Sequence, residues 1–60
     1  MRYLRRTESG EPEELTQEEF IKGVQSEFMF GKGYYEHMFI LFGMGMKQVG
    51  SIHMYWVERE

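Results

Sequence analysis

The sequence predicts a small α+β protein of β-α-β-β order, with one helix laid on a three-stranded sheet of strand order 1-3-2. Three observations predict it. Two apolar runs, 34–42 and 47–57, flank the glycine-bearing turn Gly43-Met44-Gly45-Met46, the pattern of a β-hairpin. Upstream, Thr16 and Glu19 form a Thr-x-x-Glu capping box, a helix-start signature. The opening segment sets Arg2, Arg5 and Arg6 around Tyr3 and Leu4, which suits an edge strand, where charge discourages unwanted pairing. Residues 1–60 are read as one domain.

The elements follow in order. Residues 1–7 read as the first strand, with Tyr3 and Leu4 on opposite faces. Residues 8–14 read as a loop, marked by Gly10 and Pro12. The helix is expected over 17–29. Leu15 and Phe20 stand as a hydrophobic staple around its cap, and Phe20, Ile21, Val24 and Phe28 form a stripe at helical spacing. Gly23 weakens this helix by about 1 kcal/mol relative to alanine but leaves room for close packing. Gly31-Lys32-Gly33 then reads as a helix stop and turn.

A three-residue loop at 44–46 fixes the expected hairpin register. Leu41 then faces Val49, Phe39 faces Ser51, His37 faces His53 and Tyr35 faces Tyr55, all on one side. The other side carries Met38, Ile40, Phe42, Ile52, Met54 and Trp56. A right-handed crossover makes the first two strands parallel. The last strand sits between them, antiparallel to both, and brings Arg2, Arg5 and Arg6 towards Glu58 and Glu60. The helix is assigned to the Met38, Ile40, Ile52 and Trp56 face, where Gly50 leaves space. The opposite face then lacks cover and is expected to form a homodimer interface through Tyr35, His37, Phe39, Leu41, Val49, His53, Tyr55 and Val57, as an exposed apolar patch implies. Sixty residues without cysteine bury only about 60% of their unfolded surface, and small domains without disulfides often gain stability by associating.

Composition narrows the function. The net charge is −3, which argues against direct nucleic-acid binding. The absence of cysteine suits a reducing cytoplasm. The longest apolar run, 38–46, is nine residues with two glycines, far short of the roughly 20 a membrane helix needs, and the first residues have no apolar signal-peptide core. No cofactor and no metal are expected: His37 and His53 face each other but no Cys or Asp supplies a third ligand. Gly31-Lys32-Gly33 lacks phosphate-loop spacing, and Ser9, Ser26 and Ser51 have no nucleophile-elbow context. The chain is read as a non-enzyme.

Six acids, Glu8, Glu11, Glu13, Glu14, Glu18 and Glu19, occur between Thr7 and Ile21 with no basic residue among them. They fit a solvated loop running into a helix N-terminus, where the macrodipole favours acids. They also fit, less directly, a negative surface aimed at a protein with a basic groove, one that normally holds nucleic acid, with Phe20 as an apolar anchor.

Two stretches resemble a known family. Gly31-Lys32-Gly33-Tyr34-Tyr35-Glu36 and Glu18-Glu19-Phe20 are similar to motifs of the small acidic inhibitors of uracil-DNA glycosylase from tailed Bacillus phages. The resemblance implies a homodimeric DNA mimic, active in the host cytoplasm, that blocks a DNA-repair enzyme. It implies that Phe20 enters the enzyme's base pocket; the acidic run itself is what places partner contacts at Glu13, Glu14, Glu18 and Glu19. The expected function is therefore that of a protein-binding inhibitor. The alternative is a small dimeric assembly module acting through its apolar sheet face.

Overall fold

The computed structural model describes residues 1–28 and 32–59, the side chain of Lys32 excepted. The chain runs β1 (Arg2–Arg6), β2 (Glu13–Leu15), α1 (Gln17–Glu27), α2 (Lys32–Gly43), β3 (Gln48–Val49) and β4 (Met54–Glu58). The four strands form one antiparallel sheet in the order β2-β1-β4-β3. The class is α+β, as the sequence indicates, but the arrangement within it differs.

The last strand does lie beside the first and antiparallel to it. Arg2 pairs with Glu58, Tyr3 with Val57, Leu4 with Trp56 and Arg5 with Tyr55. The expected charge match is present between Arg2 Nη1 and Glu58 Oε2, 3.5 Å apart; Glu60 lies outside the described residues. The helix start is also as expected. Thr16 Oγ1 accepts from the Glu19 amide at 3.2 Å, and Glu19 Oε1 accepts from the Thr16 amide at 3.0 Å. α1 ends at Glu27 with Phe28 as its C-cap; the remainder of the expected 17–29 span lies outside the described residues.

The main correction concerns 34–42, which is helix and not strand. Met38 and Phe42 are 0% and 2% exposed, while Ile40 between them is 62% exposed. All three would share one face of a strand; on a helix, Met38 and Phe42 fall together with Tyr35, and Ile40 turns outward. The turn read as a hairpin loop is a helix stop. The Met46 amide donates to the Leu41 carbonyl and the Gly45 amide to the Phe42 carbonyl, the paired bonds of a Schellman motif. Gly45, at φ +83°, supplies the left-handed residue that motif requires.

With 34–42 removed from the sheet, the order 1-3-2 gives way to one with strands from elsewhere. The end of the expected loop becomes β2, which pairs Tyr3 with Leu15, Leu4 with Glu14 and Arg5 with Glu13. Ion pairs from Arg5 to Glu13 and from Arg2 to Glu14 tie it to β1. The expected strand 47–57 is broken into β3 and β4 by a tight connection in which the Gly50 amide donates to the His53 carbonyl at 2.7 Å.

The helices cover the opposite face from the one assigned. Leu15, Phe20, Val24, Phe28, Met38, Phe42, Tyr55 and Val57 form one core cluster, with Tyr3 and Tyr35 packed against it. Phe20 sits at its centre, its ring centroid 5.1 Å from Tyr3, 5.0 Å from Phe42 and 5.6 Å from Tyr55. Gly23 explains the choice of face. A Cβ there would lie 2.6 Å from the Tyr55 hydroxyl oxygen, so the glycine lets α1 settle directly onto Tyr55. Trp56 points the other way, paired with Leu4, under the Lys47 ammonium at 5.0 Å.

Candidate functional site

The expected dimer face does not exist as a single surface. Tyr55 and Val57 are 0% and 8% exposed within the core. Tyr35, partly buried, donates its hydroxyl to the Phe28 and Gln25 carbonyls, meeting acceptors that α1 leaves open at its C-terminus. Leu41 is half-buried, while His37, Phe39 and Val49 are exposed. His37 and His53 do not face each other: His37 stands on α2 near the Tyr34 ring, and His53 is bonded to Glu27 on α1. The pairing fails because its register required 34–42 to be a strand.

An apolar surface exists, and α2 builds it. Of this helix, Met38 and Phe42 enter the core, whereas Tyr34, Phe39 and Ile40 remain exposed. Met44 and Met46, in the turn that ends the helix, are exposed as well. Beside them lies a groove of about 370 Å³, walled by Tyr3, Phe20, Ile21, Phe39, Phe42 and Val57, with Gln17 and Met1 at its margin. Its apolar character follows from aromatic side chains on both helices and on the sheet.

The acidic residues occupy a different setting from the one the partner reading needs. Glu13 and Glu14 are exposed on β2 but paired with Arg5 and Arg2. Glu18 pairs with Lys22 one helical turn on, at 3.2 Å. Glu19 closes the capping box, and the Thr16 backbone hydrogen bond holds its carboxyl below the usual range. Phe20 is 1% exposed; its ring floors the groove and could enter a partner's pocket only by opening the core.

The strongest electrostatic feature is one that sequence reasoning missed. The Glu27 side chain is 7% exposed and accepts four hydrogen bonds: Oε1 from the Ile52 and His53 amides, both at 2.8 Å, and Oε2 from His53 Nδ1 at 2.7 Å and from the Tyr55 hydroxyl. Burial by itself would raise its pKa, but the bonds from Tyr55, the two amides and His53 together outweigh it and hold the carboxyl at about 2. Tyr55 is pushed up to about 12, first by burial and then by Glu27, with Arg5 opposing. Arg5 is itself raised, chiefly by its bond to Glu13. A Cβ at Gly50 would lie 2.7 Å from Glu27 Oε1, so this glycine admits the carboxylate to the connection it grips. Two signals for Glu27 were available in the sequence. It falls on the Phe20, Val24, Phe28 stripe, and it is an acid in the last turn of a helix, where the macrodipole disfavours it.

Among the described residues, no group of three or more His, Cys, Asp or Glu side chains is placed to hold a metal, and no helix is long and apolar enough to cross a membrane. Compared with known proteins, the chain matches no family model, no curated protein and no solved structure.

Proposed function

We propose that this chain is a protein-binding module without catalytic chemistry of its own, and that it assembles with a second copy of itself through the outer side of α2. The observation that carries the reading is that the second half of α2 is apolar on both sides. Met38 and Phe42 fill the core while Phe39 and Ile40 face outward; the exposed Glu36 and His37 lie one turn earlier, and an apolar helical segment is ordinarily buried on every side. The surface combines a projecting Ile40 with an adjacent groove, so two copies related by a twofold axis can exchange knob for groove, as an isologous contact requires. A chain of sixty residues without cysteine also has stability to gain from such an association.

The inhibitor reading, with uracil-DNA glycosylase as the partner suggested by resemblance, has less support. The exposed carboxylates of Glu13, Glu14 and Glu18 are each matched within the chain by Arg5, Arg2 and Lys22, which reduces the field they present. Sedimentation equilibrium separates the two readings. The wild type is expected at twice the chain mass at micromolar concentration in both low and high salt, since apolar contacts are not screened. Ile40→Glu, an exposed position where folding changes by no more than about 0.5 kcal/mol, should sediment as a folded monomer; Val49→Glu, on the sheet edge, should remain a dimer. A monomeric wild type, or a dimer indifferent to Ile40→Glu, removes the proposal.

A further inference from the structure

The far end of the sheet carries a second cavity, of about 400 Å³, between the end of β1 and the connection from β3 to β4. It lies within the size range of small-molecule pockets. Its polar wall contains Arg6, Thr7, Glu8, Ser51 and His53. Val49, Ile52 and Met54 supply an apolar side.

Two features of this wall bear on what it can hold. Arg2 and Arg5 on the same strand are both ion-paired, whereas Arg6 is not, among the described residues. Among the described residues, Arg6 and Glu8 make no ion pair and no side-chain hydrogen bond, with each other or with any other group, although they line one cavity. The second feature is the orientation of His53. An ionised carboxylate is an acceptor only, so the 2.7 Å contact with Glu27 places a proton on Nδ1. Nε2 is the ring nitrogen that this contact leaves to other partners. Glu27 fixes that ring from the core, with the Ile52 and His53 amides bonded to the same carboxylate. Such anchoring is what prepares an imidazole to recognise a ligand.

We propose that this cavity binds a small zwitterion, an α-amino acid with an apolar side chain: its carboxylate on Arg6, its ammonium on Glu8, and its side chain against Val49, Ile52 and Met54, with His53 in the same wall. The charges explain the choice. An anion alone would leave Glu8 opposed to it, and a cation alone would leave Arg6 opposed; a zwitterion satisfies both. The planar guanidinium suits a carboxylate, which it can hold through two parallel bonds. The Thr7 and Ser51 hydroxyls can donate or accept and so fit either end.

The test is a titration of the full chain with L-leucine, followed by amide shifts and by the ring nitrogens of His53 in long-range proton–nitrogen spectra. Saturable shifts at Arg6, Ser51 and His53 are expected. N-acetylleucine lacks the ammonium and leucinamide lacks the carboxylate; each should bind about tenfold more weakly or worse, the loss of one charged hydrogen-bonding partner. Arg6→Gln and Glu8→Gln should weaken leucine to a similar extent, whereas Glu11→Gln should not. Unaltered melting temperatures establish that these variants are folded. Absence of saturable shifts with leucine overturns the proposal. Binding of N-acetylleucine or leucinamide as tight as that of leucine overturns it too, since one charge would then suffice.

Discussion

Protonating Glu27 should release the β3–β4 connection from α1. In the folded chain this carboxyl is lowered from its ordinary 4.5 to about 2. A pKa lower in the folded than in the unfolded state confers stability that is complete above about pH 4.5 and is lost as the pH falls through about 2. At about 1.4 kcal/mol per tenfold change, the difference amounts to about 3 kcal/mol. That is a large share of the roughly 5–15 kcal/mol by which small proteins are folded at all. The perturbation that isolates it is Glu27→Gln. The amide oxygen can still accept from the Ile52 and His53 amides, but the charge is gone and the amide nitrogen faces His53 and Tyr55, for a loss of about 1–3 kcal/mol at neutral pH. Urea melts followed by Trp56 fluorescence would be compared between the two proteins from pH 7 down to about 2. The wild type should lead at neutral pH, and the gap should close across the acid range. Glu19, whose carboxyl is also held low, is common to both proteins and cancels. A gap that stayed constant with pH would refute the reasoning, because the stabilisation would then not reside in the ionised carboxylate.

Tyr55 gives the alkaline counterpart: its pKa is raised to about 12, so the stability it carries is full below about pH 10 and is lost as pH rises towards 12, and an ultraviolet titration should find one tyrosine ionising only as the protein unfolds, a late step absent from Tyr55→Phe. Gly23→Ala should destabilise by about 1–3 kcal/mol, as overpacking does, although alanine is the better helix former; the added methyl meets a Tyr55 ring pinned by Glu27, and a stabilised variant in thermal melts would show that α1 does not rest on Tyr55. Thr16→Ala removes the helix cap and should cost about 1 kcal/mol, measurable by urea denaturation, and an unchanged midpoint would contradict the capping-box geometry.

What the sequence disclosed was local. The capping box of Thr16 and Glu19 is read from four residues and is found intact. The opening strand and its charge match with Glu58 rest on alternation and sign, and both are present, although the strand lies inside the sheet and not at the edge that its arginines suggested. The run 34–42 resisted because its period is hidden. Phe39 and Ile40 are as apolar as Met38 and Phe42 although only the latter pair is buried, and Glu36 and His37, adjacent in sequence, mark neither helical nor strand alternation. Only Gly45, two places beyond the helix, carried the stop signal, and it serves a hairpin loop equally well. β2 resisted for another reason: Glu13 and Glu14 have little strand propensity of their own and pair through Arg5 and Arg2, a context that exists only after folding. Glu27 was overlooked because the acids that draw notice are clustered, and this one stands alone.

The self-assembly proposed for α2 is tested most directly by isotope-filtered proton contacts in a mixed sample of labelled and unlabelled chains. The account predicts contacts from the Ile40 methyls of one chain to Phe39 and Ile21 on the groove wall of its partner. Contacts between chains confined to Val49 and Ile52 on the sheet edge, or none at concentrations where the sample sediments as a dimer, would contradict it.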